Sequence, residues 1–366
     1  PLASSFDLIG SDDTFGEATW EKSESAMQKQ ALALALDKAG QAAYHAMKTG
    51  LAALRPAFPV PRLEGRELGD VLARLRLDCP ELFYVTGFSY RVHPAAATVE
   101  LLPQYRFDKG KIQTHQKALA ARLDRLCRPA MGLNEGEKER YVHDFICRNV
   151  RYDKLKKPYS HEILGPLGQG VGVCEGIAKA VKCLCDRLGV WCIVALAENN
   201  PDKGIKYRHA WNVVRLGDAY YHLDATFDNS LGSAELVRYD YFNLDDRRLF
   251  RDHEALVYPV PACADGGRFY YREAKLSFTR PEEVAGRAAQ AVRKGKPLVF
   301  HWRGGPLTGE VLGELAALLE EAAARKGRHA AIRLNRPQAV LEVHFQEAPP
   351  AEACTAQEAN EGEEEG

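Results

Sequence analysis

The 366-residue sequence lacks several features that would assign it to other classes of protein. No apolar run approaches the roughly 20 residues that cross a bilayer, so we expect no membrane insertion. The formal net charge is −1, which gives no bulk attraction toward nucleic acid or an anionic membrane surface. No CxxC pair occurs, and such pairs are typical of zinc sites. We therefore expect a soluble protein with no nucleic-acid partner and no metal.

A secretory signal peptide is also absent from the sequence. The nine cysteines are therefore expected to be free thiols in a reducing compartment, which predicts a cytoplasmic location. The chain begins at Pro1 rather than at methionine, so a removed leader is compatible with the same sequence.

The most informative segment surrounds Cys174. It lies in the glycine-rich run 170–176, and the apolar residues after it recur at helical spacing as far as Leu188. Gly189 is a typical helix stop. Cys174 is therefore predicted at the first turn of a helix, where unpaired N–H groups and the helix dipole favour a thiolate. The alternative is a buried structural cysteine.

A predicted hairpin supplies two possible partners for this thiol. Strands are expected over 209–216 and 219–225, joined by a two-residue turn. With that turn, His209 and Asp224 become diagonal neighbours on one face, roughly 7–8 Å apart along the backbone. Taken singly, His209 would be interpreted as a strand histidine and Asp224 as a strand-end aspartate.

A cysteine, a histidine and a carboxylate in this order predict a thiol acyl-transfer site. Cys174 would attack a peptide or glutamine carboxamide, His209 would move the proton, and Asp224 would hold the histidine tautomer. Water would resolve the thioester in a protease or amidase, and an amine would do so in a cross-linking enzyme. This mechanism requires no cofactor, and its partner is a protein or peptide substrate.

The segment from Gly170 to Asp228 resembles the core of the transglutaminase-like superfamily. The resemblance rests on the nucleophile segment 172–178, the histidine segment 209–214 and the acid segment 221–228. Ile177 and Phe227 stand where the family often has tyrosine and tryptophan. Segments 78–84 and 239–253 are similar to parts of bacterial members that carry an N-terminal extension.

The resemblance implies a bacterial protein of α+β class with a papain-like core, a Cys-His-Asp triad and a thioester intermediate. It does not fix the reaction, because members cross-link, cleave or deamidate, and some are inactive. Two alternatives to an enzyme therefore stay open. One is a catalytically idle papain-like domain that binds a protein, and the other is a redox-sensing thiol protein.

Further residues are candidates for the oxyanion or substrate site. Tyr152 and Gln169 precede the nucleophile and could donate to the oxyanion. His161 lies in the loop before Cys174, and Trp211 lies beside His209, where either could line the cleft. Ordinary packing or surface exposure is the alternative for each. Three further interpretations concern His222 as a competing base, His143 as a packing or surface histidine, and the lysines at 154, 156 and 157 as a solvated face.

Changes in composition and in hydrophobic periodicity divide the chain into five segments. We expect a flexible arm over 1–20, an N-terminal α+β extension over 21–110, the catalytic core over 111–260, a small C-terminal α/β domain over 261–345 and a disordered acidic tail over 346–366. Predicted helices cover 23–54 with breaks near Gly40 and Gly50, 111–127, 134–150, 175–188, 281–294 and 307–325. Outside the hairpin, predicted strands cover 83–92, 98–107, 191–197, 269–278, 297–302, 329–334 and 339–345.

Overall fold

A computed structural model describes residues 31–233 and 235–347, which form two compact units divided between residues 266 and 267. The predicted arm over 1–20 and nearly all of the predicted tail lie outside the described residues. The helices span Ala31–Leu34, Lys38–Ala52, Gly65–Asp78, Lys109–Cys127, Glu135–Asn149, Cys174–Leu188, Ala225–Leu231, Asp246–Leu249, Tyr270–Glu273, Pro281–Lys294 and Gly309–Ala324. No helix among the described residues is both long and apolar enough to cross a membrane.

The strands form four sheets. They are β1 (Phe58–Pro61), β2 (Val85–Val92), β3 (Thr98–Tyr105), β4 (Arg151–Tyr152), β5 (Val171–Gly172), β6 (Cys192–Ala197), β7 (His209–Leu216), β8 (Ala219–Leu223), β9 (Phe242–Leu244), β10 (Ser277–Phe278), β11 (Leu298–Trp302), β12 (Arg328–Asn335) and β13 (Val340–Glu347). The first unit contains the antiparallel sheets β1-β3-β2 and β6-β7-β8-β9, together with the short parallel pair β4-β5.

The four-stranded sheet β6-β7-β8-β9 supports the helix that begins at Cys174. This helix buries Ile177, Val181 and Leu184, which repeat at helical spacing. The buried amide of Asn212 on β7 donates to the carbonyl of Ala178 at 2.9 Å and so ties the helix to the sheet. The α+β class and the papain-like arrangement of this unit agree with the sequence prediction.

The hairpin β7–β8 has the predicted two-residue turn. Leu216 pairs with Ala219 and Val213 pairs with His222, which is the register that brings His209 and Asp224 to one face. β8 ends at Leu223, two residues earlier than predicted, because Asp224 caps the helix that follows.

The breaks predicted near Gly40 and Gly50 do not fall at the glycines themselves, since both lie inside the helix Lys38–Ala52. The interruption lies before this helix, where the Asp37 carboxylate accepts from the Gly40 N–H at 2.7 Å and begins a new helix. The Phe58 ring packs against Gly50, and a Cβ at this position would collide with the ring.

The second unit is the sheet β10-β11-β13-β12 with two long helices, Pro281–Lys294 and Gly309–Ala324. The predicted strand over 269–278 is wrong, because Tyr270–Glu273 forms a helical turn and only Ser277–Phe278 pairs with β11. The aromatic residues there are buried by a turn rather than by alternation along a strand. At the start of the helix Pro281–Lys294, the Glu283 carboxylate accepts from the backbone N–H groups of Thr279 and Arg280 at 3.1 and 3.3 Å.

Candidate active site

Cys174 occupies the first position of the helix Cys174–Leu188 and is partly exposed. The preceding loop is held against the helix start, because the Val173 N–H donates to the Ser160 carbonyl at 3.0 Å. Gly176 permits this approach, since a side chain there would collide with the same carbonyl. The thiol therefore lies at the N-terminus of the helix, as predicted, where the unpaired N–H groups of the first turn and the helix dipole favour an anion.

A buried ion pair reinforces the start of this helix. Lys179 is fully buried and pairs with Glu162 at 2.9 Å and with Glu175 at 2.7 Å. Glu162 belongs to the loop before the nucleophile, and Glu175 directly follows Cys174. Because removing one member would leave an uncompensated buried charge, this cluster fixes the loop relative to the thiol.

His209 and Asp224 meet as the hairpin register predicts. His209 Nε2 lies 2.6 Å from Asp224 Oδ2; the histidine side chain is 21% exposed and the carboxylate is fully buried. Asp224 Oδ1 accepts from the backbone N–H groups of Thr226 and Phe227 at 2.9 and 3.0 Å. The acid is therefore the N-cap of the helix Ala225–Leu231, whose dipole favours the carboxylate.

A second histidine, His253, shares the same carboxylate and was missed in the sequence. Its Nε2 lies 2.9 Å from Asp224 Oδ2, and its Nδ1 lies 2.9 Å from Asp252 Oδ1. Asp252 in turn accepts from the Tyr241 hydroxyl at 2.6 Å. Residue 253 lies 29 positions beyond the acid, and no local spacing predicts the contact. Its place in the segment 239–253 was the available signal.

His209 and Asp224 each stabilise the ionised form of the other. Burial by itself lowers the pKa of His209, but the Asp224 carboxylate and the Cys174 thiol outweigh burial and raise it to about 10. Burial opposes ionisation of Asp224, yet the charge of His209 and the hydrogen bonds from both histidines hold its pKa below the usual value. His209 therefore remains an imidazolium through neutral pH, beside the thiol.

The geometry assigns the two nitrogens of His209 to different partners. Because Nε2 is hydrogen-bonded to Asp224, Nδ1 is the nitrogen left to exchange a proton with Cys174. Trp211 stacks on the ring, with centroids 5.9 Å apart and planes 20° apart, and Trp211 is itself buried. Trp211 therefore packs behind the histidine, as in the packing alternative, rather than lining an open cleft.

The other predicted site residues differ in their placement. Tyr152 pairs with Gly172 through the β4–β5 ladder, and burial followed by the charge of Cys174 raises the pKa of its phenol. His161 Nδ1 lies 3.8 Å from a Glu175 oxygen, beside the nucleophile helix. Gln169 is exposed at the end of a π-helical turn and forms no hydrogen bond with the thiol or its partners in the described part of the chain.

His222 is not positioned to compete as the base. It is buried, its Nδ1 accepts from Trp211 Nε1 at 3.0 Å, and its Nε2 lies 2.8 Å from Asp246 Oδ1. His143 is a packing histidine, fully buried, stacked on Tyr239 and 3.0 Å from Asp228 Oδ2.

Two clusters bring potential metal ligands together in the described residues: His209, Asp224 and His253, and His222, Asp246 and Cys263. The indole N–H of Trp211 can only donate, so His222 Nδ1 accepts and Nε2 carries the proton. That nitrogen faces Asp246 as a donor and offers no lone pair to an ion. In the first cluster, His209 and His253 each form a hydrogen bond through Nε2 to Asp224 Oδ2.

A helix that begins at a cysteine, packed on an antiparallel sheet that supplies a histidine and an acid, defines the papain-like class. Residues 117–225 match the model of the transglutaminase-like superfamily. Residues 1–48 match the model of stage V sporulation protein AD. No curated protein matches the chain.

Solved structures similar to this chain include one described as a TGase, with 11% identity and a TM-score of 0.26 over 46% of this chain and 50% of that one. Another is a protein described as a putative cysteine protease from Cytophaga hutchinsonii, with 14% identity and a TM-score of 0.23 over 41% of this chain and 62% of that one. The chain therefore spans between half and two thirds of the length of these two proteins.

The contact with Asp224 predicts that His209 titrates well above the ordinary range of a histidine. In the wild-type protein, the imidazole should stay protonated at pH 8 and lose its proton near pH 10, as followed by NMR of the histidine rings. In Asp224→Asn the pKa of His209 should fall well below the wild-type value, because burial then acts without the carboxylate. The raised pKa stabilises the fold fully below about pH 6.5, and this contribution is lost as the pH rises through about 10. A wild-type midpoint near 6.5 would contradict the ion pair.

Proposed function

We propose that this protein is a cysteine acyl-transfer enzyme that acts on peptide bonds or glutamine carboxamides. The observation that carries the proposal is the 2.6 Å hydrogen bond between His209 and the buried Asp224, in a segment whose nucleophile helix begins at Cys174. The transglutaminase-like match over residues 117–225 supports the same chemistry.

The reaction begins when the Cys174 thiolate attacks the carbonyl carbon. The thiol proton resides on His209 Nδ1, and the new C–S bond gives a tetrahedral oxyanion. The backbone N–H of Cys174 and the hydroxyl of Tyr152 are the donors that this scheme assigns to the oxyanion, since Tyr152 pairs with Gly172, two residues before the nucleophile. Collapse breaks the C–N bond, and His209 gives its proton to the leaving amine or ammonia.

The resulting thioester is resolved by a second nucleophile. His209 now accepts a proton from water or from an amine, the new bond to the carbonyl carbon forms, and the C–S bond breaks. We favour hydrolysis, because Cys174 and His209 are both partly exposed and water reaches them. The enzyme is then a protease or amidase, with transamidation as the alternative outcome for the same intermediate.

His253 acts in this scheme as a positioning residue. It donates to the same Asp224 oxygen as His209 and is anchored on its far side by Asp252. With the two backbone N–H groups, the carboxylate accepts from four donors and has no freedom to rotate. This fixes the direction from which Asp224 holds His209.

The acyl-enzyme provides the direct test of the proposed function. A peptide or glutamine-donor library should leave a thioester adduct on Cys174 that intact-protein mass spectrometry detects after acid quenching. Cys174→Ala should abolish the adduct, while Cys183→Ala, at a cysteine on the same helix, should retain it. A well-folded protein with no adduct and no turnover across the library would contradict the proposal and favour a binding role.

The role of His253 predicts different effects for two substitutions. His253→Leu removes the donor and should lower kcat about ten-fold with little change in KM, since one charge-assisted hydrogen bond to the acid is lost. His253→Gln keeps a donor toward Asp224 and should restore most of kcat. Equal losses in both variants, or a change confined to KM, would argue against a positioning role.

A further inference from the structure

Two loops of the first unit flank the thiol and the histidine. The first, residues 153–160, follows Tyr152, and its last residue accepts a hydrogen bond from Val173 immediately before the nucleophile. The second, residues 201–208, runs directly into His209. We call these two segments the rim loops, because each is joined to the site: Ser160 accepts a hydrogen bond from Val173, next to Cys174, and Arg208 directly precedes His209.

The rim loops contact each other. The ammonium group of Lys156 lies 3.3 Å from the centroid of the Tyr207 ring, which is a cation–π contact. Asp153 shapes the first loop, because its carboxylate accepts from the N–H groups of Leu155 and Lys157 and from the Ser160 hydroxyl. Lys156 adopts a positive φ of 50° within this turn. The position of Lys156 is therefore set by the fold of the loop.

The rim loops carry a net positive charge, unlike the chain as a whole. Their exposed cations are Lys154, Lys156, Lys157, Lys203, Lys206 and Arg208. The acids of the two loops are Asp153, which is buried and occupied by its own loop, and Asp202. In a protein of net charge −1, this concentration of positive charge beside the nucleophile creates a local attraction for anions.

Part of this charge is not neutralised by neighbouring acids. Lys203 pairs with Glu254 and Arg208 pairs with Glu198. Lys154, Lys156 and Lys206 form no ion pair with a carboxylate anywhere in residues 31–233 or 235–347. The charges of these three lysines are therefore not neutralised by a carboxylate among those residues, although Lys156 contacts the Tyr207 ring.

Large apolar side chains lie among these lysines. Leu155 is 76% exposed and Tyr207 is 66% exposed, which are the two highest values among the large apolar residues described. Exposed apolar groups beside cations that no carboxylate neutralises suit a ligand that offers both carboxylates and apolar surface. An extended acidic peptide has this chemistry.

We propose that the rim loops select peptide substrates that carry acidic residues close to the bond attacked by Cys174. The inference rests on the proposed function and adds a substrate class to it. Lys154, Lys156 and Lys206 attract the carboxylates, and Leu155 and Tyr207 contact the intervening apolar side chains. Basic peptides are disfavoured because they meet the same charges with the wrong sign.

The test measures the field at Cys174 with two alkylating probes of similar size. Iodoacetate is anionic and iodoacetamide is neutral, and the ratio of their rates at Cys174 reports the local potential. The variant Lys154→Gln, Lys156→Gln, Lys206→Gln should lower this ratio at least about three-fold at 10 mM salt, where the Debye length is about 30 Å. At 1 M salt the difference from wild type should nearly vanish. The charge of His209 is common to both proteins and cancels in the comparison.

A matched control replaces three exposed lysines outside the rim loops, Lys38, Lys109 and Lys117, by glutamine. This control should leave the ratio unchanged. For any peptide that acylates Cys174, glutamate-containing analogues should show a KM lower than glutamine analogues in the wild type but not in the rim variant. An unchanged ratio, or an equal response in the control, overturns the inference even if Cys174 is acylated. Failure of acylation with a shifted ratio overturns the proposed function and leaves the basic rim in place.

Discussion

The site depends on the buried carboxylate of Asp224. A buried charge of this kind is costly unless every lone pair is occupied, and here two backbone N–H groups and two histidines occupy them. The hairpin β7–β8 brings His209 to this acid, and the helix Ala225–Leu231 caps it. Strand β8 ends and the helix Ala225–Leu231 begins next to Asp224, so this residue is held in place by both elements.

The nucleophile is positioned by a different set of constraints that converge on the same cleft. The loop before Cys174 is fixed by hydrogen bonds from the helix start and by the buried Lys179 with its two acids. Asn212, three residues beyond His209, hydrogen-bonds the helix to the sheet. The helix that begins at Cys174 and the strand that begins at His209 are therefore packed against each other, which is the preorganisation that the proposed acyl transfer requires.

The sequence predicted the features that depend on local periodicity. The helix after Cys174, the helix predicted over 134–150 and the two-residue hairpin turn are all present, and that turn predicts the contact between His209 and Asp224. The contact of His253 with the acid was not predictable, because it depends on how a distant segment returns to the sheet. For the same reason the contact between Lys156 and Tyr207, which joins two loops, could not be predicted from either loop alone.

The central claim is that Cys174 is an activated thiol paired with His209, and its alkylation rate tests that claim most directly. Iodoacetamide labelling of Cys174, resolved by mass spectrometry from the other eight cysteines, should be compared from pH 5 to 10 in wild type and His209→Ala. The account predicts labelling at pH 6.5 about ten-fold faster than that of a free thiol with a pKa of about 8.5, and loss of this advantage in the variant. A profile that follows an ordinary thiol and is indifferent to His209 would contradict it.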